Sequence, residues 1–202
     1  CKFKPRSSLS PSTKPSSTCI APLNQAAALI GKSSITRALK AELNACFKIG
    51  RYQTHRIFLE LYSGTGRITR LIRRIGHPAI AFDIEQGEQF DLTNRVVHRL
   101  VIGWICSGLV AGVFLAIQCS TWSAALHGPA DSNWPALRSK QHIFGIPHPT
   151  SKQLTKITNG NIQIQHSLHI IRTCIRLGIP CMLENPASSL MWQVPSLCKL
   201  SE

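Results

Sequence analysis

Several polar side chains with chemical potential follow apolar runs of this 202-residue chain. Cys119 ends one such run and precedes a polar loop, a position that suits an accessible nucleophile, although a buried, unreactive thiol is the commoner state of cysteine. Glu184 ends another run, where a carboxylic acid could donate a proton to a ring nitrogen or could simply accept backbone amide bonds. From the residues alone, each of the two is therefore a candidate for a catalytic role, and a structural role stays open for both.

A glycine turn follows the apolar run at residues 57–61, and a helical pattern begins directly after it. Gly64 and Gly66 lack a Cβ, so the backbone can turn tightly and approach a ligand closely. The helix that follows points free N–H groups at the turn. An ordinary strand-to-helix turn is the alternative interpretation, because a lone Gly-x-Gly is a weak signal.

Two carboxylates extend this candidate binding site. Asp83 closes the second apolar run, 17 residues after Gly66, close to the usual spacing of about 20 for an acid that binds ribose hydroxyls. The alternative for Asp83 is a capping role at the start of the next segment. Asp91 could contact a base, or it could cap the helix that the sequence predicts from Leu92, and the capping role is favoured.

Apolar runs alternate with helical patterns along the chain. We predict strands over residues 57–61, 78–83, 109–117 and 179–183, and helices over 66–75, 92–107 and 161–177. Strands that alternate with helices form parallel sheets with right-handed crossovers. The sequence therefore predicts an α/β, Rossmann-like, mostly parallel sheet with helices on both faces, and ligands bind beyond the carboxyl ends of such strands.

The N-terminal part has a different character. Residues 1–56 contain ten Lys or Arg and one Glu, out of a net charge of +14. We predict a disordered basic leader over residues 1–20 and accessory helices over residues 21–50 that form a lid or pack beside the core. A basic extension indicates nucleic acid as a partner, and a solvated tail that only keeps the chain soluble is the equal alternative.

The cysteine and hydropathy patterns bear on whether the protein binds a metal, contains disulfides or spans a membrane. The eight cysteines contain no Cys-x-x-Cys pair, which argues against a structural zinc site and a disulfide framework, so we expect no bound metal. Free thiols predict a reducing intracellular compartment, nuclear in a eukaryote. Residues 100–118 carry no charge and could span a bilayer, but glycines interrupt the run. We predict no membrane partner and assume a monomer.

The combined motifs resemble a known family. The run Glu60-Leu61-Tyr62-Ser63-Gly64-Thr65-Gly66 resembles the cofactor motif of class I S-adenosylmethionine-dependent methyltransferases. Cys119 and the Glu184-Asn185 pair, each after a strand, resemble two motifs of the DNA cytosine-5 methyltransferases, in the same order along the chain. The resemblance covers about residues 56–195, and it implies a methyltransferase-like domain over residues 56–198.

The resemblance implies a chemistry and a set of roles. Cys119 as a thiolate would attack C6 of cytosine in DNA, Glu184 would contact N3 and the exocyclic amine, and Asn185 would hold the loop. The cofactor would be S-adenosylmethionine, and DNA the partner, with RNA or a single strand as alternatives. The implied cofactor-binding residues are Tyr62, Ser63, Gly64, Gly66, Asp83 and Asp91, and the implied nucleic-acid contacts are Ser120, Trp122, Arg138 and Lys140.

Departures from the family pattern favour a second hypothesis. Gln118 stands where the family has Pro, and 18 residues follow Glu184, too few for the family's later arginine motif and target-recognition region. We expect the basic leader or the loop over residues 121–160 to replace them. The alternative is a catalytically degenerate nucleic-acid-binding module, from a mobile element, that kept the fold.

Overall fold

Four parallel strands form one sheet in the described part of this protein. The computed structural model describes residues 34–49, 56–123 and 136–200; the predicted leader, the first part of the accessory helices and residues 124–135 of the predicted loop lie outside them. The strands are β1 (Ile57–Leu61), β2 (Ala79–Phe82), β3 (Val110–Ala116) and β4 (Cys181–Glu184). Each falls within two residues of the strand that the sequence predicts.

The strand order is β2-β1-β3-β4, and every pairing is parallel. The order reverses between β1 and β3, the point at which open α/β sheets leave a crevice at their carboxyl edge. The register aligns the strand ends, because Leu61 pairs with Phe82 and Leu115, and Ala116 pairs with Glu184. This alignment confirms the expected α/β class with a parallel sheet.

The described residues also form five α-helices: α1 (Ser34–Ile49), α2 (Arg67–Arg74), α3 (Arg95–Cys106), α4 (Ser151–Leu177) and α5 (Pro195–Cys198). Right-handed crossovers put α2 on one face of the sheet and α3 with α4 on the other, and α3 packs against α4. Helix α1 belongs to the core, since Leu39 and Leu43 are buried, and Cys46 donates its S–H to the Ala79 carbonyl.

The uncharged stretch over residues 100–118 is divided between two elements. It forms the second half of α3, a turn at Ser107 and Gly108, and strand β3. Leu100, Val101 and Ile105 are buried against the sheet. None of the described helices is long and apolar enough to cross a bilayer.

Two details of α3 differ from the sequence prediction. The helix begins at Arg95, and its cap is Asn94, whose side chain accepts the Val96 amide at 2.8 Å. Asp91 instead accepts the amide and hydroxyl of Thr93, so the favoured role for Asp91 as the helix cap is wrong. Val96, in the first turn of α3, is 42% exposed.

Helix α2 buries only part of its apolar side chains. Ile68 and Ile72 are half-buried, but Leu71 and Ile75 are 57% and 55% exposed. Arg73 reaches inward instead: its Nε donates to the Ala79 carbonyl at 2.8 Å, and its Nη2 pairs with Glu42 of α1 at 3.0 Å. Helix α2 is therefore held to the sheet largely by polar contacts.

Candidate functional site

The Cys119 turn is a short 3-10 helix, Cys119–Thr121, that begins three residues after Ala116, the last residue of β3. Cys119 is half-buried and Ser120 is exposed. The Cys119 carbonyl accepts the amides of Trp122 and Ser123 at 2.9 Å, which closes the turn. The predicted nucleophile therefore lies at the carboxyl edge of the sheet, in a regular turn rather than in a loose loop.

Three contacts from distant parts of the chain fix this turn. Asn185 Nδ2 donates to the Ile117 carbonyl at 2.7 Å, and the Leu190 amide donates to the Trp122 carbonyl at 2.8 Å. Arg138 Nε donates to Thr121 Oγ1 at 3.3 Å. Because the three donors come from β4's exit, the segment after it and the loop before α4, the position of Cys119 depends on the whole carboxyl half of the fold.

Arg138 and Trp122 are buried, with 1% and 0% of their surface exposed. The guanidinium stacks on the Trp122 ring, 3.6 Å from its centroid, and burial lowers the pKa of Arg138 to about 10. Its Nη atoms donate to the Ile143 carbonyl, Asn161 Oδ1 and the Ile157 carbonyl. The expectation that Arg138 and Trp122 contact nucleic acid is therefore wrong for this arrangement, because neither side chain is accessible. Lys140 is exposed.

Helix α4 starts at Ser151, ten residues earlier than the sequence predicts. Gly160 is the reason for this difference, and it also has a packing role. Thr150 and Gln153 form a capping box at the helix start, although the glycine within the following turns suggested a loop. A Cβ at Gly160 would lie 2.7 Å from Arg138 Nη2 and 2.7 Å from Thr121 Oγ1. The glycine thus leaves the space in which Arg138 reaches the Cys119 turn.

The glycine turn is held by Asp83. Its Oδ2 accepts the Gly64 amide at 2.8 Å, and its Oδ1 accepts the Glu85 amide at 3.0 Å, so it caps the short helix Ile84–Gln86. This is the capping role that the sequence left open, although each carboxylate oxygen keeps acceptor capacity for a further partner. Gln86 Nε2 donates to Ser63 Oγ at 3.1 Å.

The two glycines of this turn serve different needs. Gly64 and Gly66 have φ of +50° and +65°, values that favour a residue without a Cβ. A Cβ on Gly66 would lie 3.3 Å from the Ala81 Cβ, whereas one on Gly64 would meet nothing within 4 Å. Gly66 therefore lets the turn pack on β2, and the space above Gly64 stays open.

Glu60 was named in the sequence analysis only as part of a motif, but its carboxylate holds the start of α2. It is 3% exposed, and its carboxylate accepts the amides of Ile68 at 3.3 Å and Thr69 at 2.6 Å. A carboxylate at a helix N-terminus is stabilised by the helix dipole. The available signal was an acid inside an otherwise apolar strand, which must find a partner.

Tyr62 links the glycine turn to α4. Its backbone is left-handed, with φ of 57°, and its hydroxyl donates to the Gln163 carbonyl at 3.3 Å. Burial raises the pKa of Tyr62, and the negative charge of Asp91 adds to this effect. Asp91 therefore lies near the turn, as expected, but Tyr62 turns its polar end toward the helix.

Glu184 ends the edge strand β4 and is exposed. It pairs in register with Ala116, three residues before Cys119, while Asn185 is buried and its Oδ1 has no partner among the described residues. The fold thus brings the Glu184-Asn185 pair, the Cys119 turn and the glycine turn to one edge of the sheet. Adjacent strands lie about 4.8 Å apart.

Two further observations bear on chemistry at this edge. In the described part of the chain, no three His, Cys, Asp or Glu side chains are arranged to hold a metal ion. The six cysteines that the structure describes are free thiols.

No protein-family model, curated protein or solved structure matches this chain. The geometry of the site is therefore the basis for its proposed function.

Proposed function

We propose that the carboxyl edge of this sheet is the active site of an S-adenosylmethionine-dependent methyltransferase acting on C5 of cytosine in DNA. The observation that carries the proposal is the 2.7 Å bond from Asn185 Nδ2 to the Ile117 carbonyl. It joins the strand end that bears Glu184 to the strand exit that bears Cys119, although 65 residues separate the two. A nucleophile and an acid on neighbouring strands suit this reaction.

The glycine turn supports this cofactor class over a dinucleotide. A dinucleotide needs the free amides of the helix N-terminus for its pyrophosphate, but Glu60 occupies the Ile68 and Thr69 amides. A cofactor that presents an amino-acid end to the turn avoids this competition. S-adenosylmethionine would supply an electrophilic methyl group at the edge of the sheet.

The residues that would hold this cofactor are those that shape the open side of the turn. Ser63, Gly64 and Gly66 would surround its methionine part, and Asp83 would accept a ribose hydroxyl with its remaining acceptor capacity. Tyr62 and Asp91 would bound the site from the α4 side. The open space above Gly64 is consistent with a ligand there.

The chain's own side chains would then act on the base. The Cys119 thiolate would form a bond to C6, which makes C5 nucleophilic, and the bond would break again when C5 loses its proton after methylation. Glu184 would contact N3 and the exocyclic amine, and Asn185 would keep the cysteine turn in place. The target base must leave the duplex, and Ser120 and Lys140, both exposed, remain candidates for nucleic-acid contacts.

A non-catalytic nucleic-acid-binding module is the second candidate. The observation that favours it is the use of Asp83, because both of its oxygens already accept backbone amides. A carboxylate retained for the turn alone is what a decayed cofactor site would keep. The two candidates differ in whether S-adenosylmethionine binds.

A calorimetric titration with S-adenosylmethionine tests the proposal directly. We expect micromolar binding by the native protein, weakened about tenfold or more in Asp83→Ala, a loss of about 1.4 kcal/mol. Glu85→Ala, an exposed neighbour, is the matched control and should bind normally. A folded native protein that binds no S-adenosylmethionine would overturn the enzyme hypothesis.

The role of the thiol needs a second assay. Cys119→Ser should abolish methyl transfer to cytosine-containing DNA and leave DNA affinity intact, whereas Cys106→Ser, which alters an exposed thiol at the end of α3, should retain activity. Deleting residues 1–33, and not the core helix α1, should flatten the salt dependence of DNA binding. An unchanged slope would contradict a role for the basic leader.

A further inference from the structure

A cavity of about 260 Å³ lies between α3 and α4, and none of the residues proposed for the active site contributes to its lining. Its walls carry two arginines, three histidines and one isoleucine: Arg95, His98, Arg99, Ile102, His166 and His169. No acidic side chain contributes to this lining. A cavity surrounded by five basic groups differs from an ordinary solvated helix surface, where both signs of charge alternate.

The histidines are in close mutual contact. The rings of His98 and His166 stack with their centroids 3.9 Å apart and their planes at 6°, and His169 lies 5.1 Å from His98. His98 is 7% exposed, and its Nε2 has no hydrogen-bond partner in the described part of the chain. A buried polar atom without a partner is uncommon in native proteins and calls for an explanation.

A hydrogen bond at one ring nitrogen of His166 fixes the tautomer of this imidazole. Its Nδ1 lies 2.7 Å from the Leu92 carbonyl, and a carbonyl only accepts, so this nitrogen carries the proton. The Nε2 of His166 is left to interact elsewhere, and it becomes a second donor when the ring is protonated.

Burial and the neighbouring basic groups oppose protonation of His98 in the absence of a counter-charge. Burial, followed by the charges of His166, His169 and Arg99, lowers the pKa of His98 to about 4. Arg95 and Arg99 are exposed and stay charged at any working pH. The N-terminus of α3 adds partial positive charge, because Arg95 is its first residue.

We infer that this cavity binds a phosphate group, held by the guanidiniums of Arg95 and Arg99 and by the imidazoles of the cluster. Guanidinium forks match phosphate oxygens in geometry as well as charge, and an anion would relieve the repulsion among the histidines. A metal ion is the poorer ligand, because arginine cannot coordinate it and no metal-binding trio exists among the described residues.

The phosphate could belong to a nucleic-acid backbone or to a small phosphomonoester. The cavity is near the carboxyl edge of the sheet, since Tyr62 bonds to the Gln163 carbonyl, about one helical turn before His166. A strand of nucleic acid that reached the proposed active site could therefore extend to it. The inference does not depend on methyl transfer, because either source of phosphate would satisfy it.

The experiment follows the three imidazoles by NMR in the full chain. Inorganic phosphate, with sodium chloride at equal ionic strength as the blank, should shift the His98, His166 and His169 resonances and raise the pH at which His98 titrates. A short DNA duplex, added next, distinguishes the sources. Displacement of phosphate by the duplex from these same resonances indicates a backbone site, and its failure to compete indicates a phosphomonoester site.

Arginine-to-glutamine variants on different parts of α3 and α4 locate the site. The double variant Arg95→Gln with Arg99→Gln should weaken phosphate binding at least tenfold and, for a backbone site, lower the logarithmic salt slope of DNA binding by about 1.8. Arg176→Gln, an exposed arginine at the far end of α4, should leave phosphate binding unchanged. Both altered arginines are exposed, so the fold should persist.

Two results would overturn the inference. One is the absence of any phosphate- or duplex-induced change in the imidazole resonances of the native protein, which needs no variant to interpret. The other is binding by the double arginine variant that equals binding by Arg176→Gln. Neither result bears on whether S-adenosylmethionine binds at the glycine turn, so the two proposals fail separately.

Discussion

The glycine turn and the Cys119 turn lie at the same edge of the sheet but are built in opposite ways. The glycine turn is fixed by Glu60 and Asp83, carboxylates that accept amides 8, 9 and 19 residues away in sequence. The Cys119 turn is fixed by groups from other elements, including Asn185, 68 residues from its acceptor. One turn is assembled nearby in the chain, and the other is assembled only when the carboxyl half folds.

The two turns should therefore be sensitive to different substitutions. The carboxylates of the glycine turn, buried Glu60 and half-buried Asp83, satisfy backbone donors that would otherwise be orphaned at a helix start. The Cys119 turn instead depends on one buried cation, Arg138, that contacts a hydroxyl, an aromatic ring and α4 together. Removing Arg138 should therefore disturb several elements, whereas removing one carboxylate should disturb one helix start.

The largest expected effect comes from Arg138→Ala. The substitution leaves a cavity beside Trp122 and removes the partner of Asn161 and two carbonyls, so we expect a loss of about 4 kcal/mol in the free energy of unfolding. Urea denaturation measures it. Lys140→Ala, two residues away and exposed, should change stability by less than about 0.5 kcal/mol. Equal, small effects would contradict the central position of Arg138.

Acid offers a way to perturb the α3–α4 side of the sheet while leaving both turns unmutated. His98 has a folded-state pKa of about 4 against about 6.5 when unfolded, so the unfolded chain binds more protons between these values. Stability should therefore fall as the pH drops from about 6.5 to about 4, by about 3 kcal/mol in total.

Urea denaturation across this pH range checks the prediction. His98→Gln should remove most of the decline, whereas His142→Gln, which alters an exposed histidine, should keep it. Parallel pH profiles for the native protein and His98→Gln would show that His98 is not the group responsible.

Glu60→Gln tests the local construction of the glycine turn. Its amide group would keep the shape but would face one helix amide with a donor, so we expect a loss of about 2 kcal/mol. Glu85→Gln, exposed on the same segment as Asp83, is the control. Thiol alkylation at Cys119 should be unaffected in Glu60→Gln, and a faster rate would mean that the two turns are coupled.

Asn185→Ala should have the smallest effect on stability and the clearest effect on the Cys119 turn. Losing the bond to the Ile117 carbonyl should cost about 1 kcal/mol, since the unpaired Oδ1 is lost as well. The half-buried thiol of Cys119 should then be alkylated faster, which mass spectrometry can follow. Ser188→Ala, an exposed change nearby, should leave the rate unchanged.

Much of the fold could be predicted because local patterns dominate it. The four strands are short apolar runs that end at polar residues, and the stops at Gly76, Gly108 and Gly178 all have positive φ. The start of α4 could not be predicted in the same way. Gly160 lowers helix propensity, and its compensation, space for Arg138, comes from a residue 22 positions away.

The amino-acid sequence was enough to predict the succession of strands and helices along the chain and the residues at each strand end. Periodicity, glycine and capping residues act over a few positions, so one chain segment contains their whole signal. Which of those residues stabilise the protein through buried contacts is visible only in the folded structure. Arg138 and Trp122 were predicted to contact nucleic acid but are buried against each other. Glu60 was noted only as part of a motif, but its carboxylate caps a helix. Burial and hydrogen-bond partners depend on segments far apart in the chain, and no local pattern encodes them.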